Sequence, residues 1–232
     1  LSFTSTQSRI APFSTMVYAN TMITNTMLNN QPSRRSVLMG ILSLSLVPLD
    51  ARAADQSVVH VTSPRILGEA NAPIQVIELF SMTCSHCASF HNNTFPDVKK
   101  RLIDTGMVRF EMQPFPLDQV ALRAHALARA LPQNKYFPMV SMLLKDVDRW
   151  ARNPDPLATL LQMARLAGVS AARFDAVMNN RPLLEAIVAM RQDANRTWQI
   201  EATPSFVIND KTILSGDLSY EEFASKINAT DT

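Results

Sequence analysis

The feature that most restricts this chain is the stretch Glu78-Leu79-Phe80-Ser81-Met82-Thr83-Cys84-Ser85-His86-Cys87, where an apolar run ends in two cysteines and passes into a helical pattern. No other cysteine occurs in the 232 residues. A chain stapled by structural disulfides spreads its cysteines along its length, whereas this one confines both to four residues at a strand-to-helix junction, where they can act as a reactive pair. A helix starting at Cys84 places the first sulfur beside unpaired N–H groups and the positive end of the helix dipole, and both favour thiolate over thiol. His86, between the cysteines, can add a donor or a positive charge and so stabilise the reduced form further. Cys87, one turn on, is expected to be the more buried sulfur. Cys84 is then the attacking or attacked sulfur and Cys87 the resolving one.

The strand Ile74 to Phe80 is nearly continuously apolar, as a central strand covered on both faces should be, and Glu78 interrupts it. A carboxylate there is either a satisfied structural acid or a proton acceptor kept under the motif, able to take the proton that Cys87 loses when it resolves a mixed disulfide. Upstream, Val58 to Val61 is a short strand candidate and Gly68 to Pro73 a turn. Downstream, a helix from Cys84 toward Asp104 is expected to kink or break at Pro96, and Val108 to Met112 alternates as a strand. Helix-like segments then follow at Ala121 to Leu131, Lys135 to Leu144, Pro156 to Leu166, Ala171 to Met178 and Leu183 to Trp198. Strand character returns at Ser205 to Ile208 and Thr212 to Leu214 around an Asn209-Asp210-Lys211 turn, before a final helix from Tyr220 to Ile227. Pro204, at the entry to a strand, cannot be an ordinary ladder member, which suggests a cis Thr203-Pro204 bond.

Residues 1–53 differ from the rest. They hold no Asp or Glu before Asp50, and Arg34-Arg35 leads into the apolar run Val37 to Val47 and then Ala51-Arg52-Ala53. That order is a signal peptide, too short in its apolar part to span a bilayer comfortably, so the chain is read as exported. The arginines resemble a twin-arginine signal or serve as the basic region of a general secretory one, and an organellar transit peptide is the remaining alternative. Met22 or Met27 would give a more usual start. About 180 residues then remain, enough for one domain with a substantial core. A formal charge of +2 carries no basic excess that would suggest nucleic acid.

Together these residues resemble the thioredoxin superfamily and, within it, the DsbA-like thiol-disulfide oxidoreductases. The resemblance covers about residues 57 to 229 and implies an α/β thioredoxin fold with a helical domain inserted between its βαβ and ββα halves. The division is leader 1–53, first half 54–116, insert 117–200 and second half 201–232. It implies catalytic roles for Cys84, Cys87, His86 and Glu78, substrate contacts at Ser85, Thr203 and Pro204, and neither cofactor nor metal. It also implies a periplasmic monomer that oxidises reduced exported proteins and is itself reoxidised by a DsbB-like, quinone-linked membrane partner. Ser85 stands where the family usually has proline, and Thr203 is found before the cis-proline of disulfide isomerases as well. An isomerase or reductase, or a non-catalytic peptide-binding chaperone, are therefore the alternatives.

Other motifs read as structural. Cys84, His86, Cys87 and His91 could be written as a zinc set, but consecutive residues on one helix start rarely surround an ion. Ala88, where a c-type haem needs histidine, excludes that attachment. His60 and His125 are expected to be surface or hydrogen-bonded structural histidines. Met139, Met142 and Met163 are expected to pack the helical block, with an exposed rim for substrate as the other reading.

Overall fold

The structure is a computed structural model that describes residues 61–229. The leader, its twin arginines, the A-x-A site, His60 and the strand candidate Val58 to His60 lie outside these residues.

Five strands form one mixed sheet in the order β1-β3-β2-β4-β5. The apolar run becomes β2 (Ile74–Phe80) at its centre, parallel to β3 (Val108–Pro114) and antiparallel to β4 (Ser205–Ile208). The hairpin closes with β5 (Thr212–Ser215), and Asn209 and Asp210 take the left-handed conformation that the turn requires. Side chains alternate across β2. Val76 and Phe80 join the larger core with Phe90, Phe206 and Phe223, while Leu79 joins a smaller one with Phe115, Ala194, Ile200 and Val207. Glu78 shares the parity of Val76 and Phe80 and so points into the larger core, where it is fully buried.

Val61 does not continue a strand. Val61 and Thr62 are helical, and the carbonyls of Val61 and Ser63 accept from the buried Arg129 guanidinium at 2.8 and 2.9 Å respectively. A guanidinium thus replaces the ladder partner a strand would have needed. The edge strand is instead β1 (Ile66–Leu67), antiparallel to β3. It ends at Gly68, at φ +91°, where a Cβ would lie 2.4 Å from the Val108 carbonyl oxygen, so only glycine fits.

Pro96 does not break the helix after the cysteines. That helix runs as α1 (Ser85–Ser89), a π-helical stretch over Phe90–Thr94, α2 (Phe95–Val98) and a second π-helical stretch over Lys99–Ile103. Phe95 N–H bonds to the Phe90 carbonyl five residues back, and Pro96 sits in the first turn of α2, where a missing donor costs little. The widened turn also rotates Phe90, His91 and Thr94 inward together, and all three are buried.

Between β3 and β4 come α3 (Gln119–Arg129), α4 (Gln133–Lys145), α5 (Val147–Ala151), α6 (Pro156–Leu166), α7 (Ala171–Met178) and α8 (Arg181–Trp198). α3 is the hub, packed against α4, α6, α7 and α8. Asp118, Asp155, Ser170 and Asn180 each accept from a backbone N–H in the first turn of the helix that follows. Met139 is buried, but Met142 and Met163 are half-buried and line, with Trp150 and the exposed Leu166, a cleft of about 430 Å³. The chain closes with α9 (Tyr220–Asn228), started by a reciprocal Ser219–Glu222 capping box. Among the described residues no helix is long and apolar enough to cross a membrane.

Candidate active site

The C-terminal end of β2 delivers the motif to one end of the sheet. Cys84 N–H bonds to the Ser81 carbonyl at 3.2 Å, and Cys84 caps α1, its carbonyl accepting from Ala88 at 3.0 Å. The loop is pinned from the insert side: Thr83 Oγ1 donates to Asp118 Oδ2 at 2.7 Å, and Asp118 Oδ1 caps α3. Ser81 Oγ lies 3.2 Å from Thr83 Oγ1 and accepts from Leu117 N–H at 3.4 Å. One carboxylate therefore ties the cysteine loop to the helical block.

The two sulfurs are not joined and sit in unlike surroundings. Cys84 is half-buried and Cys87 fully buried. The Cys84 thiol is drawn down to about 5, first by a hydrogen bond from Cys87 and then by Thr203 and the N–H groups of Cys87 and His86, against an opposing contribution from burial. Cys87 is pushed far above the ordinary thiol range, by burial first, then by the hydrogen bond to Cys84 and the fields of Glu78 and Cys84. Cys84 is thus the ready thiolate and Cys87 the sulfur that holds its proton.

Across from α1, the Thr203-Pro204 bond is cis, as its position suggested. Cys84 Sγ as a thiol donates to the Thr203 carbonyl at 3.3 Å. In the thiolate form the buried Thr203 hydroxyl, which has no other partner, is the donor at hand. Pro204 stands immediately before β4, its carbonyl held by Gly216 N–H at 2.9 Å.

Ser85 and His86 are exposed at the rim. His86 acts on Cys84 through its backbone N–H. Glu78 lies beneath the motif with both carboxylate oxygens on His91 Nε2, at 3.0 and 2.9 Å. His91 is thus turned to an acid on β2 while His86 faces solvent, so the four residues of the zinc reading are not gathered around one point. Among the described residues no group of three or more His, Cys, Asp or Glu side chains is placed to hold a metal ion.

His125 differs from expectation. It is completely buried on α3, its ring edge-on to Phe80 at 4.8 Å, and neither nitrogen makes a hydrogen bond. Burial, then the nearby Arg129 charge, hold it down to about 3 against a weaker opposing pull from the Phe80 backbone, which lies outside good hydrogen-bond geometry, so it is neutral across the physiological range. Sequence reasoning also missed the Thr83–Asp118 tie and the Glu78–His91 pair. The signal for the pair was present only as an acid on a strand and a histidine on the following helix, and their meeting depends on the π-helical turn.

A family model described as Thioredoxin matches residues 60–229. The crystal structure of Wolbachia pipientis α-DsbA1 superposes with a TM-score of 0.67 at 30% identity, over 73% of this chain and 92% of that one. A Rickettsia conorii protein, provisionally named a protein-disulfide oxidoreductase, is 27% identical over 164 residues, which are 70% of this chain and 58% of that protein. The chain thus spans little more than half the length of that relative. Disulfide bond formation protein D of Bacillus subtilis is 24% identical over 172 residues, 70% of this chain and 74% of that one.

Proposed function

Because the chain belongs to the DsbA-like group of the thioredoxin superfamily, we propose that it is a thiol-disulfide oxidoreductase that donates the Cys84–Cys87 disulfide to exported proteins as they fold. The observation that carries this is the contrast between the sulfurs: a half-exposed Cys84 drawn down to about 5 beside a buried Cys87 that keeps its proton. A stable Cys84 thiolate stabilises the reduced pair and makes its disulfide a readily accepted electron sink.

In the proposed cycle a substrate thiolate attacks Cys84 Sγ. The Cys84–Cys87 bond breaks, and its electron pair goes to Cys87, which takes up a proton. A second substrate thiolate attacks the substrate sulfur of the mixed disulfide, and Cys84 leaves as a thiolate. The substrate has lost two electrons and the pair has gained them. A DsbB-type, quinone-linked membrane partner is the oxidant class that returns the pair to the disulfide. Glu78 is the proton acceptor and donor for Cys87, while Ser85, His86, Thr203 and Pro204 form the rim that meets the substrate chain. The cis-proline entry beside Cys84 suits an extended peptide laid along it. The setting is the periplasm, reached by the N-terminal signal, and the working unit is the monomer.

The test is the redox equilibrium of residues 54–232 with glutathione. A potential near about −120 mV, the oxidising end of the range for such pairs, is expected; one near about −270 mV would place the isomerase or reductase reading ahead. Cys84→Ser abolishes exchange under either redox reading, and catalysis by that variant would overturn the role given to Cys84. Peptide binding that survives Cys84→Ser in a chain without exchange activity would leave the chaperone reading.

A further inference from the structure

The exchange proposed above needs a proton to reach and leave Cys87, and Glu78, the acid placed for it, has no solvent exposure. Its carboxylate makes its side-chain hydrogen bonds to one atom, His91 Nε2. His91 belongs both to the buried pair and to the surface. Its side chain retains 4% of its exposure and lines an open cleft of about 380 Å³ with Asn92, Lys99, Ser141 and Lys145. Imidazole carries two nitrogens, so one can hold the carboxylate while the other exchanges with water.

We infer that His91 is a positioning residue that exchanges a proton with solvent each time Glu78 exchanges one with Cys87, so that the buried pair stays neutral in both redox states. With the dithiol, Glu78 is a carboxylate and His91 an imidazolium. When the disulfide forms, Cys87 gives its proton to Glu78 and its sulfur bonds to Cys84 Sγ. The bond from Cys84 to the departing thiol breaks with its electron pair on the leaving sulfur, and His91 releases a proton to the cleft. When the disulfide is donated each step reverses: Glu78 protonates Cys87 and His91 takes a proton from water. The Nε2–H bond to Glu78 persists throughout, and no uncompensated charge is left in the core, where it would be costly. The other ionisable groups near the pair are Cys87 on α1, Tyr136 on α4, whose titration senses Glu78, and Lys99 and Lys145 at the cleft. A static ion pair would need only the hydrogen bond.

His91→Gln separates the two, since its amide still donates to Glu78 but cannot titrate. The probe is the glutathione mixed disulfide at Cys84, with ring closure by Cys87 followed by acid quench and mass spectrometry. Formation of the mixed disulfide should match the unaltered protein, while closure should slow about 10-fold, within the range for assisted proton transfer. In His91→Ala, added imidazole should restore closure. An unchanged closure rate in His91→Gln, or a slow His91→Ala that imidazole does not rescue, overturns the inference. Should neither variant fold, the solvent deuterium isotope effect in the unaltered protein decides: slowing of closure but not of Cys84 attack supports the inference, and no effect on closure overturns it. A wild-type chain that forms no mixed disulfide removes the exchange reading together with this one, whereas normal formation with unaltered closure in His91→Gln removes only the role of His91.

Discussion

Phe80, the last residue of the central strand, has a buried imidazole near it from each of two elements. His91, on the helix that follows the cysteines, lies 6.0 Å away by ring centroid, and His125, on α3 of the insert, lies 4.8 Å away. His91 has an acid on the sheet and an open cleft at its side; His125 has Arg129 one turn on and no hydrogen bond. The same side chain at nearly the same depth is thus paired with an acid beside an open cleft in one place and held neutral in the other. Burial alone makes a histidine inert, and burial beside a carboxylate makes it chemically useful.

The largest break in that comparison should come from Glu78→Gln, which removes the proposed proton carrier while keeping a hydrogen-bonding amide. Ring closure by Cys87 is expected to slow about 100-fold, at the low end for general acid–base assistance, with Cys84 attack unchanged. An unaltered closure rate would reduce Glu78 to a structural acid.

His125→Leu sharpens the other side. The folded His125 is held near 3 against an ordinary value of about 6.5, so below about pH 6.5 the unfolded chain binds a proton that the folded one refuses, and stability falls with pH toward 3. Leucine removes that loss. The variant should gain about 3 kcal/mol relative to the unaltered protein at pH 4 compared with pH 7, read from urea unfolding. A difference that does not depend on pH would mean that His125 titrates normally.

Cys84 titrates with the opposite sign. Its folded thiol loses its proton near 5 while the unfolded one keeps it to about 8.5, so the reduced form gains stability as pH rises through that window and loses it as pH falls toward 5. The oxidised form has no such thiol. With allowance for the half-exposure of the sulfur, the gap between reduced and oxidised forms should grow by about 1–2 kcal/mol from pH 5 to pH 7, as thermal melts can follow. A gap that is flat across this range would remove the stable thiolate.

The smallest effect is expected from Thr203→Val, which deletes one donor to the thiolate. The ultraviolet titration of Cys84 should move up from about 5 by less than tenfold in acidity, because the hydrogen bond from Cys87 outranks Thr203. A larger move would make Thr203 the main support of the thiolate.

Much of the site was legible because its signals are local. The two cysteines at the end of an apolar strand, the proline before a second strand and the acid six residues ahead of Cys84 each carry their chemistry in residue type and spacing. All the helices of the insert but the short α5 were legible from period, their ends landing within two residues where capping side chains mark them. Misreadings arose where the chain answered to distant partners. Val61 looked like strand, but its carbonyl is claimed by Arg129 across the fold. Pro96 looked like a kink or break, and a π-helical turn absorbs it without ending the helix. The tie from Thr83 to Asp118 joins segments that no spacing rule connects.

What the amino-acid sequence determined by itself was a strand, a dithiol and a helix start in that order, hence a more acidic Cys84 and a more buried Cys87, because dipole and orphan N–H groups act within one turn. What only the tertiary structure decided was the fate of the buried polar groups: Glu78 met His91, His125 met the Phe80 ring and the Arg129 charge, and Cys87 came to hold its proton beside a thiolate. Those outcomes depend on desolvation and on which charges lie within a few ångströms, and both are set by how the elements pack, not by any one segment.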